Sequence, residues 1–149
     1  MNVIPLIGAH LKSDEIIDLL EHWDAVVVYD FDRLHENMPD SYRVTVSSAG
    51  MELLFDGNQI LKTLFLRIAS TDNFAPFDIA NSDVAFWKSI DEARCFAASR
   101  SLTATEGSTL FLGVKRDWIK LNHGAYTSQY EFIGSKLNMV TLALQMGSQ

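Results

Sequence analysis

The sequence predicts an α+β fold with two main helices and an antiparallel sheet of about seven to eight strands. Two segments carry apolar residues at helical spacing, and each is followed by short segments of β-prone residues separated by turn signals. Strands that follow one another through short turns pair antiparallel, because parallel pairing needs long crossover connections. A composition of 48% apolar and 21% charged residues over 149 residues is typical of a folded domain of ordinary size.

The first half predicts a helix followed by an antiparallel meander. Ser13 is a suitable N-cap, since acidic residues follow it and apolar residues recur at helical spacing as far as Trp23. Asp56-Gly57 predicts a tight hairpin, because glycine readily adopts the positive φ that such turns require. The predicted strands are 25–31, 42–46, 51–55 and 58–68, with a loop at 36–41.

The second half predicts the same kinds of element in the same order. Residues 70–82 form a connection rich in turn residues, and a helix begins after Ser89 with Asp91 and Glu92 in its first turn. The segment "SLTATEGS" after this helix is predicted to be a loop. The predicted strands are 109–114, 117–122, 125–132 and 137–144.

The final hairpin of each half has a similar apolar pattern, which indicates a possible tandem duplication of a helix and a β-meander. We therefore predict one globular domain over 1–146, with possible half-repeats 1–69 and 83–146 and a tail at 147–149. The matching positions are Phe55, Gly57, Leu61, Leu64 and Leu66 in the first half, and Phe132, Gly134, Leu137, Val140 and Leu142 in the second.

The acidic residues are concentrated in one segment of the chain. Residues 13–40 hold nine carboxylates and one basic residue, Arg33, whereas the whole chain has a net charge of −7. Such a field repels nucleic acid and steers a basic protein toward the segment, with an association rate that falls as salt rises. A solvated acidic surface without a partner is the alternative interpretation.

Aromatic side chains lie among these carboxylates, and tyrosine and tryptophan are residue types that anchor protein interfaces. We predict that the carboxylates steer a partner and that the aromatic residues anchor it. The predicted partner-binding residues are Trp23, Asp24, Tyr29, Asp30, Asp32, Glu36, Asp40 and Tyr42.

The stretch "YDFDRLHEN" (29–37) supports a second hypothesis, a small metal-binding or ligand-binding protein or enzyme that uses Asp30, Asp32, His35 and Glu36. Carboxylate oxygens and imidazole suit divalent ions, but the chain has no established metal-binding spacing and no nucleophile motif. Cys95 is predicted to be a small core residue of the second helix. We therefore expect a binding protein rather than an enzyme, with no cofactor and no catalytic or metal-ligating residues.

Location and assembly follow from simple features. The N-terminus has no basic, apolar signal segment, and a single cysteine cannot form an internal disulfide, so we expect a cytoplasmic protein that does not enter a membrane. A third hypothesis is a scaffold protein that forms a homo-oligomer through an exposed strand edge such as 109–114 or 137–144.

The segments "FDRLHENMPDSYRV", "GMELLFDGNQILKTLFL" and "NMVTLALQ" resemble those of bacterial immunity proteins, which neutralise a cognate toxin in interbacterial competition. The resemblance covers most of the chain in order and length. The plan of a repeated helix and meander is also similar to that of β-lactamase inhibitor protein, which presents a concave sheet to its target. The resemblance implies binding to a toxin or effector domain in the cytoplasm of the producing cell, and it transfers no individual site residues.

Overall fold

A computed structural model describes residues 1–31, 39–71 and 73–145. These residues form two α-helices and one antiparallel sheet of eight strands, which confirms the predicted α+β class. The helices are α1 (Asp14–Trp23) and α2 (Ile90–Ser99). No helix within the described residues is long and apolar enough to cross a bilayer.

Each helix is followed by four strands that run as an uninterrupted meander. The predicted positions agree closely with the observed ones except at the start of β5. The first meander contains β1 (Val27–Asp30), β2 (Ser41–Val46), β3 (Met51–Phe55) and β4 (Leu61–Arg67). The second contains β5 (Thr103–Phe111), β6 (Val114–Asn122), β7 (Tyr126–Ile133) and β8 (Lys136–Leu144).

The strand order in the sheet is β1-β2-β3-β4-β8-β7-β6-β5. The last strands of the two meanders, β4 and β8, therefore pair at the centre, and the first strands, β1 and β5, form the two edges. This order corrects the expectation that 137–144 is an exposed edge, because β8 has a strand on each side.

The core lies on one face of the sheet, under the two helices. Alternate residues of a strand share a face, and a continuous row of buried side chains crosses the central strands on this side. Ile16 and Leu19 of α1 and Ala93 and Ala97 of α2 pack against it. The row contains Val44, Leu53, Leu64 and Leu142 in register.

The two helices begin differently. Ser89 caps α2, since its hydroxyl accepts a hydrogen bond from the backbone N–H of Glu92 at 3.3 Å. Ser13 precedes α1 as predicted, but its hydroxyl makes no capping bond, and its buried Oγ has no hydrogen-bond partner among the described residues. The N-terminal charge of Asp14 and Glu15 is thus the main local signal for the start of α1.

Two local predictions are wrong. The segment predicted to be a loop before residue 109 is mostly strand, because β5 begins at Thr103 and pairs with β6 without interruption. Cys95 is exposed rather than buried, since it lies on the outer side of α2 while Ala93 and Ala97 face the core.

Candidate partner-binding surface

The outer side of α1 is strongly acidic. Asp14, Asp18 and Glu21 are spaced by four and three residues, so their side chains form one stripe along the helix. Ile16 and Leu19 are buried on the opposite side, which leaves the stripe in solvent. We define the acidic face of α1 as five exposed carboxylates: Asp14, Glu15, Asp18, Glu21 and Asp24.

None of these five carboxylates forms an ion pair within residues 1–31, 39–71 and 73–145. The arginine and lysine side chains that form ion pairs there do so with carboxylates outside α1. The paired cations are Arg43, Lys62, Arg67, Arg94, Lys115 and Arg116. The described cations therefore leave the charge of the acidic face of α1 uncompensated. The carboxylates of the sheet, in contrast, are largely neutralised by ion pairs.

Part of the charge of this face works against the stability of α1. Asp14 and Asp18 are like charges four residues apart, which destabilises a helix by about 0.2–0.5 kcal/mol. Glu21 and Asp24 lie at the C-terminal end, where the helix dipole disfavours negative charge. Asp24 also adopts a left-handed conformation, with φ of 49° and ψ of 45°, at a position where glycine or asparagine is preferred. Local helix stability accounts for Asp14 and Glu15, which lie in the first turn, but not for Asp18, Glu21 and Asp24.

An aromatic stack lies at the edge of the sheet, on the same face as α1. Tyr29 stacks on Tyr42 with ring centroids 4.8 Å apart and on Phe31 at 5.6 Å. Tyr29 and Phe31 are 45% and 49% exposed, so much of this apolar surface remains in contact with solvent. We call these three residues, Phe31, Tyr29 and Tyr42, the aromatic stack.

A carboxylate fixes the polar end of the aromatic stack. The hydroxyl of Tyr29 donates a hydrogen bond of 2.7 Å to Oδ2 of Asp40. This hydrogen bond raises the pKa of Tyr29 above its ordinary value of 10.0, because it favours the protonated phenol beside a carboxylate. The structure thus brings together three residues predicted for the site, Tyr29, Asp40 and Tyr42.

The other predicted residues are not all part of this cluster. Asp30 follows Tyr29 directly and so points to the opposite face of β1, where its carboxylate lies 3.8 Å from the guanidinium of Arg43. Trp23 and Asp24 lie before β1, whereas the aromatic stack lies toward its end. Trp23 is half-buried against His22 at 4.9 Å, and its buried Nε1 has no hydrogen-bond partner among the described residues.

Asp32 and Glu36, predicted for partner binding, and His35, predicted for the metal alternative, lie outside the described residues. Of the metal hypothesis only Asp30 can be located, and it pairs with Arg43. Within the described part of the chain, no three histidine, cysteine or acidic side chains converge to hold a metal ion.

One pair with catalytic atom types lies elsewhere, beside a cavity of about 190 Å³. His123 Nε2 is 2.7 Å from the hydroxyl of Ser128, and the His123 ring stacks on Tyr126 at 4.4 Å. Ser128 is only 1% exposed. Asp83 lines the same cavity, but its carboxylate accepts hydrogen bonds from the backbone N–H groups of Val3 and Ile4. This arrangement satisfies buried polar groups and presents no accessible nucleophile.

The aromatic stack contains one residue that the predicted site omits. Phe31 follows Tyr29 by two positions, and a period of two places both side chains on one face of an extended chain. That spacing was the available signal for including Phe31.

No family model, no curated protein and no solved structure matches this chain.

Proposed function

We propose that this chain is an immunity-type inhibitor, which binds a basic bacterial toxin or effector domain in the cytoplasm of the producing cell and neutralises it. The observation that carries the proposal is the acidic face of α1, whose five exposed carboxylates have no ion-pair partner among the described residues. Asp18, Glu21 and Asp24 do not serve the stability of their own helix, and such charges are suited to a partner of opposite charge.

The aromatic stack supplies the second element of the proposed interface. Tyr29 and Phe31 expose 45% and 49% of their surface beside the carboxylate of Asp40, on the same side of the sheet as α1. Aromatic side chains contribute binding energy through burial, whereas exposed charges act mainly on the rate of association. The acidic face of α1 thus steers the partner, and the aromatic stack anchors it.

The mode of inhibition follows from the charge. Toxins that act on nucleic acids have basic substrate grooves, and a row of carboxylates can occupy such a groove in place of phosphates. Asp14, Asp18 and Glu21 present three such charges along one side of a helix. The inhibitor is therefore proposed to compete with the substrate of the toxin.

The test is a pull-down from the native host with the tagged chain at low and high salt, followed by mass spectrometry and an activity assay of the captured protein. A triple variant, Asp14→Asn, Asp18→Asn and Glu21→Gln, neutralises the stripe on α1. A matched control, Asp78→Asn, Asp91→Asn and Glu92→Gln, removes the same number of charges from exposed positions elsewhere. Wild type and control are expected to capture and inhibit one basic toxin domain, and the α1 variant to capture much less.

Kinetics separate the two elements of the interface. The α1 variant is expected to slow association with the captured toxin and to reduce its salt dependence, while Tyr29→Ala mainly speeds dissociation. Equal capture by the α1 variant and the control would refute the steering role. Capture of a protein whose activity the chain does not inhibit would refute the immunity function.

A further inference from the structure

The β5 strand leaves one edge of the sheet open. It spans nine residues and, among the residues that the structure describes, pairs with β6 on one side only. Its residues are exposed apart from Gly107, which is half-buried. The unpaired N–H and C=O groups of such an edge form a template for another strand.

Natural edge strands usually carry features that prevent pairing, such as lysine, proline, a bulge or a very short length. The sequence of β5, "TATEGSTLF", contains neither lysine nor proline, and its register with β6 has no bulge from Thr103 to Phe111. The opposite edge, β1, has only four residues and ends at Asp30. The two described edges of the sheet therefore differ, because β5 is long and carries a single charged residue, Glu106.

An exposed apolar cluster extends this edge. Leu110, Phe111 and Leu112 are 75%, 64% and 86% exposed at the turn between β5 and β6. Leu112 and Gly113 have φ angles of 51° and 78°, as a two-residue hairpin turn requires, so the turn holds these side chains in a defined position. Exposed apolar surface of this kind is typical of an interaction site.

We propose that β5 pairs antiparallel with β5 of a second copy of this chain, about a two-fold axis at Gly107. Directly opposite residues of an antiparallel pair have their side chains on the same face of the sheet. A residue of β5 can therefore lie opposite only those residues of the second β5 whose numbers differ from its own by an even number. Centring the pair on Gly107 brings all nine residues of β5 into register. The resulting dimer keeps both helix layers on one side of a continuous sheet.

The charge of β5 favours this register. Glu106 is its only charged residue, and in the proposed pair it faces Ser108 of the second copy. A two-fold axis one residue earlier would place two Glu106 carboxylates directly opposite each other, which is unfavourable. Each Glu106 also accepts hydrogen bonds from Arg94 of its own chain at 2.7–2.9 Å, which balances its charge.

The same register places two residues of the apolar cluster against the second copy. Leu110 faces Ala104 of the second copy, and Phe111 faces Thr103 of the second copy, at both ends of the pair. Leu102 precedes this strand and is half-buried on the helix side, so it extends the apolar surface available to Leu110. A second copy presents Ala104 and the methyl group of Thr103 at these positions, so its own edge accepts both side chains without placing a charge opposite them.

The register predicts that Thr105 of one copy lies opposite Thr109 of the other. Both are exposed, and they lie on the face away from the helices. Thr105→Lys with Thr109→Lys therefore places lysine opposite lysine twice, whereas Thr105→Lys with Thr109→Glu places lysine opposite glutamate twice. Sedimentation of both double variants and of wild type, from low to high micromolar concentration, tests the pairing. Circular dichroism and urea unfolding establish that each variant is folded.

Wild type and the lysine–glutamate variant are expected to dimerise. The dissociation constant of the lysine–lysine dimer is expected to be higher by about tenfold or more. Amide hydrogen exchange provides a test on wild type alone, since the amides of β5 should become more protected as concentration rises. The proposal is overturned if wild type stays monomeric at high micromolar concentration or if the two double variants behave alike. Protection of β5 only by a different protein would also overturn it. These results do not depend on the acidic face of α1, so they leave the proposed function to its own test.

Discussion

Leu64 of β4 lies directly opposite Leu142 of β8, at the point where the two meanders meet, and both side chains are fully buried. Leu66 lies opposite Val140 in the same pair of strands. In the apolar pattern that the two halves share, Leu64 corresponds to Val140 and Leu66 to Leu142. Exchanging the halves therefore turns the contact between Leu64 and Leu142 into the contact between Val140 and Leu66. The halves thus share their central core residues, and we expect them to unfold together.

The shared core predicts strong coupling across the join. Leu64→Ala and Leu142→Ala should each reduce the free energy of unfolding by about 2–5 kcal/mol, because each leaves a cavity in a fully buried position. The double variant should lose less than the sum, since both substitutions enlarge one cavity. Urea unfolding measures the free energy of unfolding of all three variants. Val26→Ala is the control, because Val26 is 72% exposed and its loss should change this free energy by no more than about 0.5 kcal/mol. Strict additivity would show that the two halves pack independently.

The dipole of α1 predicts opposite effects of two charge-neutralising substitutions. Asp24→Asn should stabilise the protein, because it removes a negative charge from the C-terminal end and places asparagine in a left-handed conformation. Asp14→Asn should destabilise it, because it removes a negative charge from the first turn. The dipole contribution to each effect should be roughly 0.3–1 kcal/mol at low ionic strength, and in Asp14→Asn it is partly offset by the loss of about 0.2–0.5 kcal/mol of repulsion with Asp18. Since both variants change the net charge equally, a shift of the same sign in both would contradict the dipole argument.

The strands that the sequence predicted well are those buried on one face. The residues of β3 alternate between buried and half-buried positions, and four of the five residues in "MELLF" are apolar, as a strand that faces a core requires. The start of β5 was missed because both faces of an edge strand lie in solvent, so "TATEGS" has no apolar alternation and resembles a polar loop. Strand order was also beyond the sequence pattern, which could not show that β8 pairs with β4.

The candidate site was predicted in part. Charge counting located the acidic segment, and the aromatic residues near it included Tyr29 and Tyr42. The period of two already places Asp30 on the face opposite Tyr29, but it could not show that Asp30 lies beside Arg43, because that depends on how β1 pairs with β2. It also could not show that the carboxylates of α1 lack cationic partners among the described residues, since ion pairing depends on tertiary contacts.

Gly50 predicts a large effect of a very small substitution. Its φ is +67°, and a Cβ at this position would meet the carbonyl oxygen of Ala75 and lie 2.6 Å from the backbone nitrogen of Phe77. Gly50→Ala should therefore destabilise the protein by more than the roughly 1–2 kcal/mol of left-handed strain alone, because backbone atoms cannot move aside as a side chain can. Urea unfolding measures the loss. Gly124→Ala is the control, since Gly124 also has a positive φ but an added methyl group there would meet no described atom within 4 Å; equal losses would exclude the steric contribution.

His123 predicts a dependence of stability on pH. Burial lowers the pKa of His123 below its ordinary value of 6.5, because the cavity disfavours the charged ring. His123 therefore binds a proton more readily in the unfolded chain than in the folded chain. As the pH falls below about 6.5, this difference reduces the free energy of unfolding, and the reduction levels off below the pKa of His123 in the folded chain. His123→Gln should make the loss between about pH 7 and about pH 5.5 smaller. Tyr126→Phe, which keeps the stacked ring, should retain the loss of wild type. Urea unfolding at both pH values tests this, and an unchanged pH dependence in His123→Gln would show that the charge is accommodated at no cost.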